Sequence, residues 1–169
     1  MIEVVVASVV FLLGLSGLLG ALVQARSATG QARRIMQATD IANDLSEQMQ
    51  MWRFDDPRLI PSGSLCGTDP LDKTGKLLKP GTGDYNDYRA CMHGEVMLTL
   101  GGAAYGGLRE PRFRDNDTRF ERFYIVQVTP TTGGGQLMQI WVKIIYQDAG
   151  EPRVVTTHAV RVNVTLGGA

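Results

Sequence analysis

The sequence predicts an α+β chain in which a long N-terminal helix packs on an antiparallel β-sheet of about four strands. Three observations predict it. An uncharged apolar run, Val4 to Val23, opens the chain with one carboxylate, Glu3, at its mouth. No proline occurs before Pro57, and Ile35, Ala38, Ala42, Leu45, Met49 and Trp52 follow at alternating steps of three and four. The C-terminal part instead alternates apolar and polar residues with a period of two, the pattern of a half-buried strand.

The first element is a helix from Met1 to about Arg53. As a helix its apolar run is about 30 Å long, the thickness of a bilayer's hydrocarbon layer. An acidic group costs about 2.5–3.5 kcal/mol deep in such a helix and less near the interface. Glu3 is therefore expected to have a partner and a task. Gly14, Gly17 and Gly20 interrupt the run. Each weakens a helix by about 1 kcal/mol relative to alanine. In a membrane, small residues also let helices approach closely. Packing and ordinary glycine tolerance both remain open, as does local stretching of the helix during assembly.

Beyond the run, the spaced residues Ile35 to Trp52 form one apolar stripe, while Arg33, Arg34, Asp40, Asp44, Glu47 and Gln48 lie on the other face. This half of the helix is expected to cover a sheet. Segment 54–93 reads as loop, with Asp55-Asp56-Pro57, Pro61-Ser62-Gly63, Asp69-Pro70 and Lys79-Pro80-Gly81 along it. It holds the only cysteines, Cys66 and Cys91. In an exported chain such a pair suggests one disulfide, stabilising the fold by roughly 3–4 kcal/mol in the chain-entropy model. The alternative is two separate buried thiols.

Strands are expected at Glu95–Leu100, Arg122–Thr129, Gln136–Gln147 and Arg153–Leu166, joined in part by the glycine loop after Thr131 and the turn Asp148-Ala149-Gly150. In the third, Met138, Ile140, Val142, Ile144 and Tyr146 share a face. In the last, Val154, Thr156, His158, Val160, Val162, Val164 and Leu166 face one way, and Val155, Thr157, Ala159, Arg161, Asn163 and Thr165 the other. One wet face is expected for the sheet, with the helix stripe covering the dry one. The organisation expected is a spanning segment 1–25, an amphipathic half-helix 26–53, a disulfide-pinned loop 54–93 and a sheet 94–169, with 26–169 forming one globular domain.

Met1-Ile2-Glu3-Val4-Val5-Val6-Ala7-Ser8, followed by Leu12-Leu13-Gly14-Leu15, resembles the N-terminus of type IV pilins. The segment Ala42-Asn43-Asp44-Leu45-Ser46-Glu47-Gln48-Met49 is similar to the PilV branch of minor pilins, with some likeness to the GspI pseudopilins of type II secretion. The resemblance implies a pilin-like fold and a structural subunit rather than an enzyme. Such a subunit sits in the inner membrane of a Gram-negative bacterium with its sheet domain in the periplasm. It joins a priming or tip complex that initiates pilus assembly. Glu3 would pair with the N-terminal amine of a neighbouring subunit. Val4, Val9, Phe11, Gly14, Gly17 and Gly20 would pack in the filament core against other minor pilins and the major pilin. The inner-membrane assembly platform is a further implied partner. Family members mature by loss of a basic leader ending in glycine, followed by N-terminal methylation. The resemblance implies such a leader, and two more residues of the mature start, encoded in frame upstream of Met1. Arg26, Arg33 and Arg34 would then lie on the periplasmic side, against the positive-inside rule, so the orientation comes from the resemblance and not from charge.

Other chemistry finds less support. The 17 basic and 17 acidic residues balance, which gives no electrostatic case for binding nucleic acid. No catalytic residue, cofactor or metal site is expected. His93 lies near Cys91 without a zinc-site spacing, and His158 falls on the valine-rich strand face, where a core histidine is expected. Asp84-Tyr85-Asn86-Asp87 and Asp115-Asn116-Asp117 are expected to be solvated turns, since neither follows the twelve-residue calcium-loop pattern. The glycine clusters lack a phosphate-loop lysine and serine, and Trp52 and Trp141 read as core residues. Three rival readings remain: a type II secretion pseudopilin, an adhesive tip binder using loop 54–93, and a secreted β-rich domain whose signal peptide is cut near Val23-Gln24-Ala25. Against the last, the segment before the run carries no lysine or arginine, and the run exceeds an ordinary signal-peptide core.

Overall fold

A computed structural model describes residues 2–68, 70–71, 76, 81–94, 114–115, 118–131 and 134–163. The chain divides into two units, Met1–Met36 and Gln37–Ala169. Helix α1, Ile2–Met51, contributes to both.

Within the first unit α1 is apolar on every side through Val23, and the large side chains Val4, Val9, Phe11, Leu15 and Leu19 are all exposed. This helix is long and apolar enough to cross a membrane. Its hydroxyls are satisfied within the helix. Ser8 Oγ donates to the Val4 carbonyl at 2.6 Å, Ser16 Oγ to Leu13 at 2.9 Å and Thr29 Oγ1 to Ala25 at 2.9 Å. A polar group closed in this way can enter lipid without losing a water partner.

In the second unit the last turns of α1 bury Ala38, Ala42, Leu45, Ser46 and Met49, and Trp52 is buried just beyond. The expected stripe is present except at its start, where Ile35 is 50% exposed. The stripe lies on an antiparallel sheet, giving the α+β class. Strand β1 is Arg114–Asp115, β2 Thr118–Pro130, β3 Gln136–Asp148 and β4 Glu151–Asn163, in the spatial order β1-β2-β3-β4. Three long strands carry the sheet where about four were expected, since β1 has only two residues. The strand expected at 95–100 lies outside the described residues.

Register explains which side chains meet α1. Asp148 pairs with Glu151 across the tight turn Ala149-Gly150, and Ile140 then pairs with Ala159 and Trp141 with His158. Both turn residues are left-handed, with φ of 51° and 85°, as a type I′ hairpin turn requires. The face towards α1 carries Phe120, Tyr124, Val126, Met138, Ile140, Val142, Ile144, Tyr146 and Ala159, joined by Leu59 and partly by Val155. The valine row of β4 was expected to be on the dry face, and this expectation is corrected. Val160 and Val162 point to the opposite face and are 50% and 60% exposed. Hairpin closure sets that parity, and a one-residue change would reverse it.

The opposite face is not simply wet. Segment 54–93, expected to be loop, folds into a 3-10 turn at Pro57–Leu59 and helices α2, Ser64–Thr68, and α3, Gly83–Cys91. Thr82 caps α3, its Oγ1 accepting from the Tyr85 amide at 3.1 Å. Cys66, Tyr88 and Met92 from this segment bury Ile125 and Trp141 on the second face of the sheet. The same segment covers the outer edge of β2. His93 exchanges backbone bonds with Tyr124 at 3.0 and 2.9 Å, and Ser62 bonds Val126 through its amide and its hydroxyl at 2.9 and 3.0 Å.

The end of α1 has no basic residue in its last turn. Arg161 of β4 serves there, donating to the carbonyls of Met49 at 3.0 Å and Trp52 at 2.6 Å. Charged donors to helix-end carbonyls are worth about 1–3 kcal/mol. Arg161→Met should lower stability by about that amount, read as a lower urea midpoint with an unchanged slope. Ala149 holds a left-handed conformation that costs a non-glycine residue about 1–2 kcal/mol. Ala149→Asn should therefore stabilise the protein by about 0.5–1 kcal/mol in the same titration.

Candidate functional site

The candidate site is the N-terminal half of α1. Glu3 is the one acidic residue of its first turn. There the helix dipole favours a negative charge by about 0.3–1 kcal/mol. Val4, Val9 and Phe11 follow on the exposed surface. Gly14, Gly17 and Gly20 face open space, where an added Cβ would meet nothing within 4 Å. The glycines thus leave shallow, unfilled positions on an otherwise apolar cylinder. Such an arrangement can bury itself in lipid or against another apolar helix, and it presents one ionisable group at its end.

Cys66 and Cys91 belong to the other unit. They form a disulfide with Cα atoms 6.0 Å apart, closing a separation of 25 residues. It ties α2 to the end of α3 and so holds the cover on the second face of the sheet. Gly63 sits against it, where a Cβ would lie 2.8 Å from Cys91 Cβ. Only glycine lets the backbone approach so closely.

A second polar centre escaped sequence reasoning. Asp56 accepts from the Arg58 amide at 2.9 Å and from Arg58 Nε at 2.7 Å, with a second bond from Arg58 Nη2. The two side chains are only 13% and 8% exposed. The guanidinium lies 3.9 Å over the Trp52 ring, and the Tyr124 hydroxyl donates to the Arg58 carbonyl at 2.8 Å. Burial pushes the Tyr124 phenol well above its ordinary range. The Arg58 hydrogen bond holds the Asp56 carboxyl below its ordinary value. An Asp-Pro pair before a short helical turn was a legible cap signal. That Trp52 and Tyr124 enclose it was not. This cluster locks the exit of α1 to β2.

The histidines do structural work of different kinds. His93 Nε2 hydrogen-bonds to the Ile60 carbonyl at 2.8 Å, and its ring lies 5.0 Å from that of Tyr124. His158, expected in the core, is instead exposed and stacks on Trp141 at 4.9 Å between ring centroids. The β4 parity that turned the valine row outward placed it there. Arg89 of α3 pairs with Glu121 and lies 4.6 Å over Phe123, docking α3 on β2. Among the described residues no group of three or more histidine, cysteine or acidic side chains could hold a metal ion.

No family model, curated protein or solved structure matches the chain. The fold therefore speaks through its own geometry: a long apolar N-terminal helix whose second half packs on an antiparallel sheet, resembling a pilin-like fold.

Asp56 has a depressed folded-state pKa, so its contribution is present above the unfolded value of about 3.9 and is lost as pH falls through the folded value. Asp56→Asn should flatten the acid limb of stability below about pH 4. The check is the urea midpoint of both proteins from neutral to strongly acidic pH, the two curves converging at the acid end.

Proposed function

We propose that this chain is a minor pilin of the PilV type, a structural subunit of the complex that initiates a type IV pilus. The observation that carries the reading is α1 itself: one helix, Ile2–Met51, exposed and apolar in its first half, amphipathic and sheet-bound in its second, with Glu3 in its first turn. In this reading the apolar half anchors the subunit in the inner membrane, and the sheet domain lies in the periplasm, where the Cys66–Cys91 disulfide is stable.

Glu3 sets the register of assembly. An unpaired carboxylate resists transfer into a low-dielectric helix bundle, whereas an ammonium from a neighbouring subunit relieves that cost. Only the axial offset that brings the two together allows both to be buried. The exposed run from Val4 to Val23 supplies the apolar area, and Gly14, Gly17 and Gly20 allow close approach of the neighbouring backbone.

Glu3→Ala should leave the protein in the membrane fraction and in normal amount while sharply reducing the number of pili per cell. Normal piliation by cells carrying only this variant would refute the pairing role. Loss of the variant from the membrane would refute the assignment of the anchor to residues 4–23.

A further inference from the structure

We infer that Arg26, Arg33 and Arg34 form a binding site for an anionic phospholipid headgroup, seated over Gly30 on α1. The inference rests on the reading of residues 4–23 as a membrane anchor and adds what holds that anchor at its depth.

The charges of the first unit are few and widely placed. Between Glu3 and Asp40 the only charged residues are these three arginines. Glu3 and Arg26 stand about 35 Å apart along the helix axis, slightly more than a hydrocarbon layer of about 30 Å. When one of them lies at one surface of the layer, the other lies at the opposite surface. In the proposed orientation the positive-inside rule disfavours arginine on the side of residues 26–34. Insertion therefore does not account for the cluster, and another role is needed for it.

Helical periodicity gathers the cations round one gap. Gly30 stands one turn after Arg26 and one turn before Arg33 and Arg34, all four within an arc of roughly 100°. A Cβ at Gly30 would meet nothing within 4 Å, so the surface between the arginines is unfilled. Arg26 and Arg33 are exposed and Arg34 is half-buried. Helical side chains lean towards the N-terminus, which carries Arg33 and Arg34 back over Gly30 towards Arg26 and the membrane. Arg26 lies about 4–5 Å beyond Val23 along the axis, inside a headgroup layer of roughly 5–8 Å. The other two start further out and lean back to the outer edge of that layer. A phosphate over Gly30 can then accept from guanidinium groups on both sides.

Charge selects the ligand. The guanidinium fork matches phosphate oxygens in pairs. A zwitterionic lipid carries its own ammonium group, which competes for its phosphate. A lipid of net negative charge, such as phosphatidylglycerol, carries none, and α1 places no carboxylate between Glu3 and Asp40 to repel it. Each arginine near an anionic membrane surface strengthens the hold about fivefold.

Native mass spectrometry of the full-length protein tests this. The protein is released from detergent micelles that hold phosphatidylglycerol and phosphatidylcholine in equal amounts. Wild type should retain phosphatidylglycerol over phosphatidylcholine by at least about fivefold. Combining Arg26→Gln, Arg33→Gln and Arg34→Gln should bring the two lipids to within about twofold of each other. Arg26→Gln alone, at an exposed helical position, should lower the preference by at least about twofold, and it decides the matter should the triple variant not fold. Arg53→Gln, an exposed arginine of the other unit, should leave the preference unchanged. No preference in wild type, a preference that Arg26→Gln leaves intact, or an equal loss from Arg53→Gln overturns the inference. Flotation with phosphatidylcholine vesicles separates it from the anchor. Protein that does not float overturns both readings, whereas protein that floats without a lipid preference overturns this one alone.

Discussion

Burial of β2 and β3 on both faces is the constraint from which the second unit follows. A sheet dominated by three strands has little cooperativity of its own. It becomes a folded unit here because α1 covers one face with Ala38, Ala42, Leu45 and Met49, and the α2–α3 segment covers the other with Cys66, Tyr88 and Met92. The small residues at positions 38 and 42 let the helix axis come close to the sheet. The larger ones further along fill the space as the helix meets Trp52. Each cover is then fixed at its end by polar contacts. Arg161 holds the last carbonyls of α1, Asp56 and Arg58 hold the turn that leaves it, and the disulfide holds α2 against α3. Hydrophobic area supplies the attraction, and the directed bonds select one arrangement.

The two halves of α1 show how one secondary structure serves two solvents. From Gln37 onward a stripe is buried and the remaining faces are polar, which suits a helix between a sheet and water. Before Val23 no face is polar, and the few hydroxyls bond back to their own helix. That surface is suited by composition to lipid or to contact with other apolar helices. In the proposed function the same helix carries a subunit out of the first environment and into the second. Glu3 is the group whose energy changes most on that journey, because it alone in the run's first turn is charged.

Much of this was readable in the sequence because it is periodic. The three-four spacing from Ala38 to Trp52 marks the buried stripe, and the alternation within 136–147 marks the residues of β3 that meet it. Other features depend on contacts the chain makes across long separations. Arg161 caps a helix that ends more than a hundred residues earlier, and no local pattern announces such a bond. Tyr88 and Met92 were hidden in a segment rich in proline, glycine and aspartate, whose short capped helices are too brief to show a period. The valine row of β4 misled for a physical reason: alternation defines two faces but does not name the inner one. The hairpin turn does that, through the pairing of Asp148 with Glu151. For Glu3 and the apolar run, the chemistry of the residues was evident at once, while their meaning rests on resemblance and on partners outside the chain.

The α2–α3 cover has a further consequence. It is held at its two feet, where Gly63 and Cys66 meet Cys91 and where His93 and Ser62 stitch the flanking chain to β2. Between those feet Tyr88 packs against Ile125 and Trp141, and Arg89 pairs with Glu121 of β2. The outer side of α3, with Asp84, Asn86 and Asp87, is exposed and has no such duty. That side of the clasp can acquire a new surface chemistry under selection while the buried contacts keep the scaffold's shape.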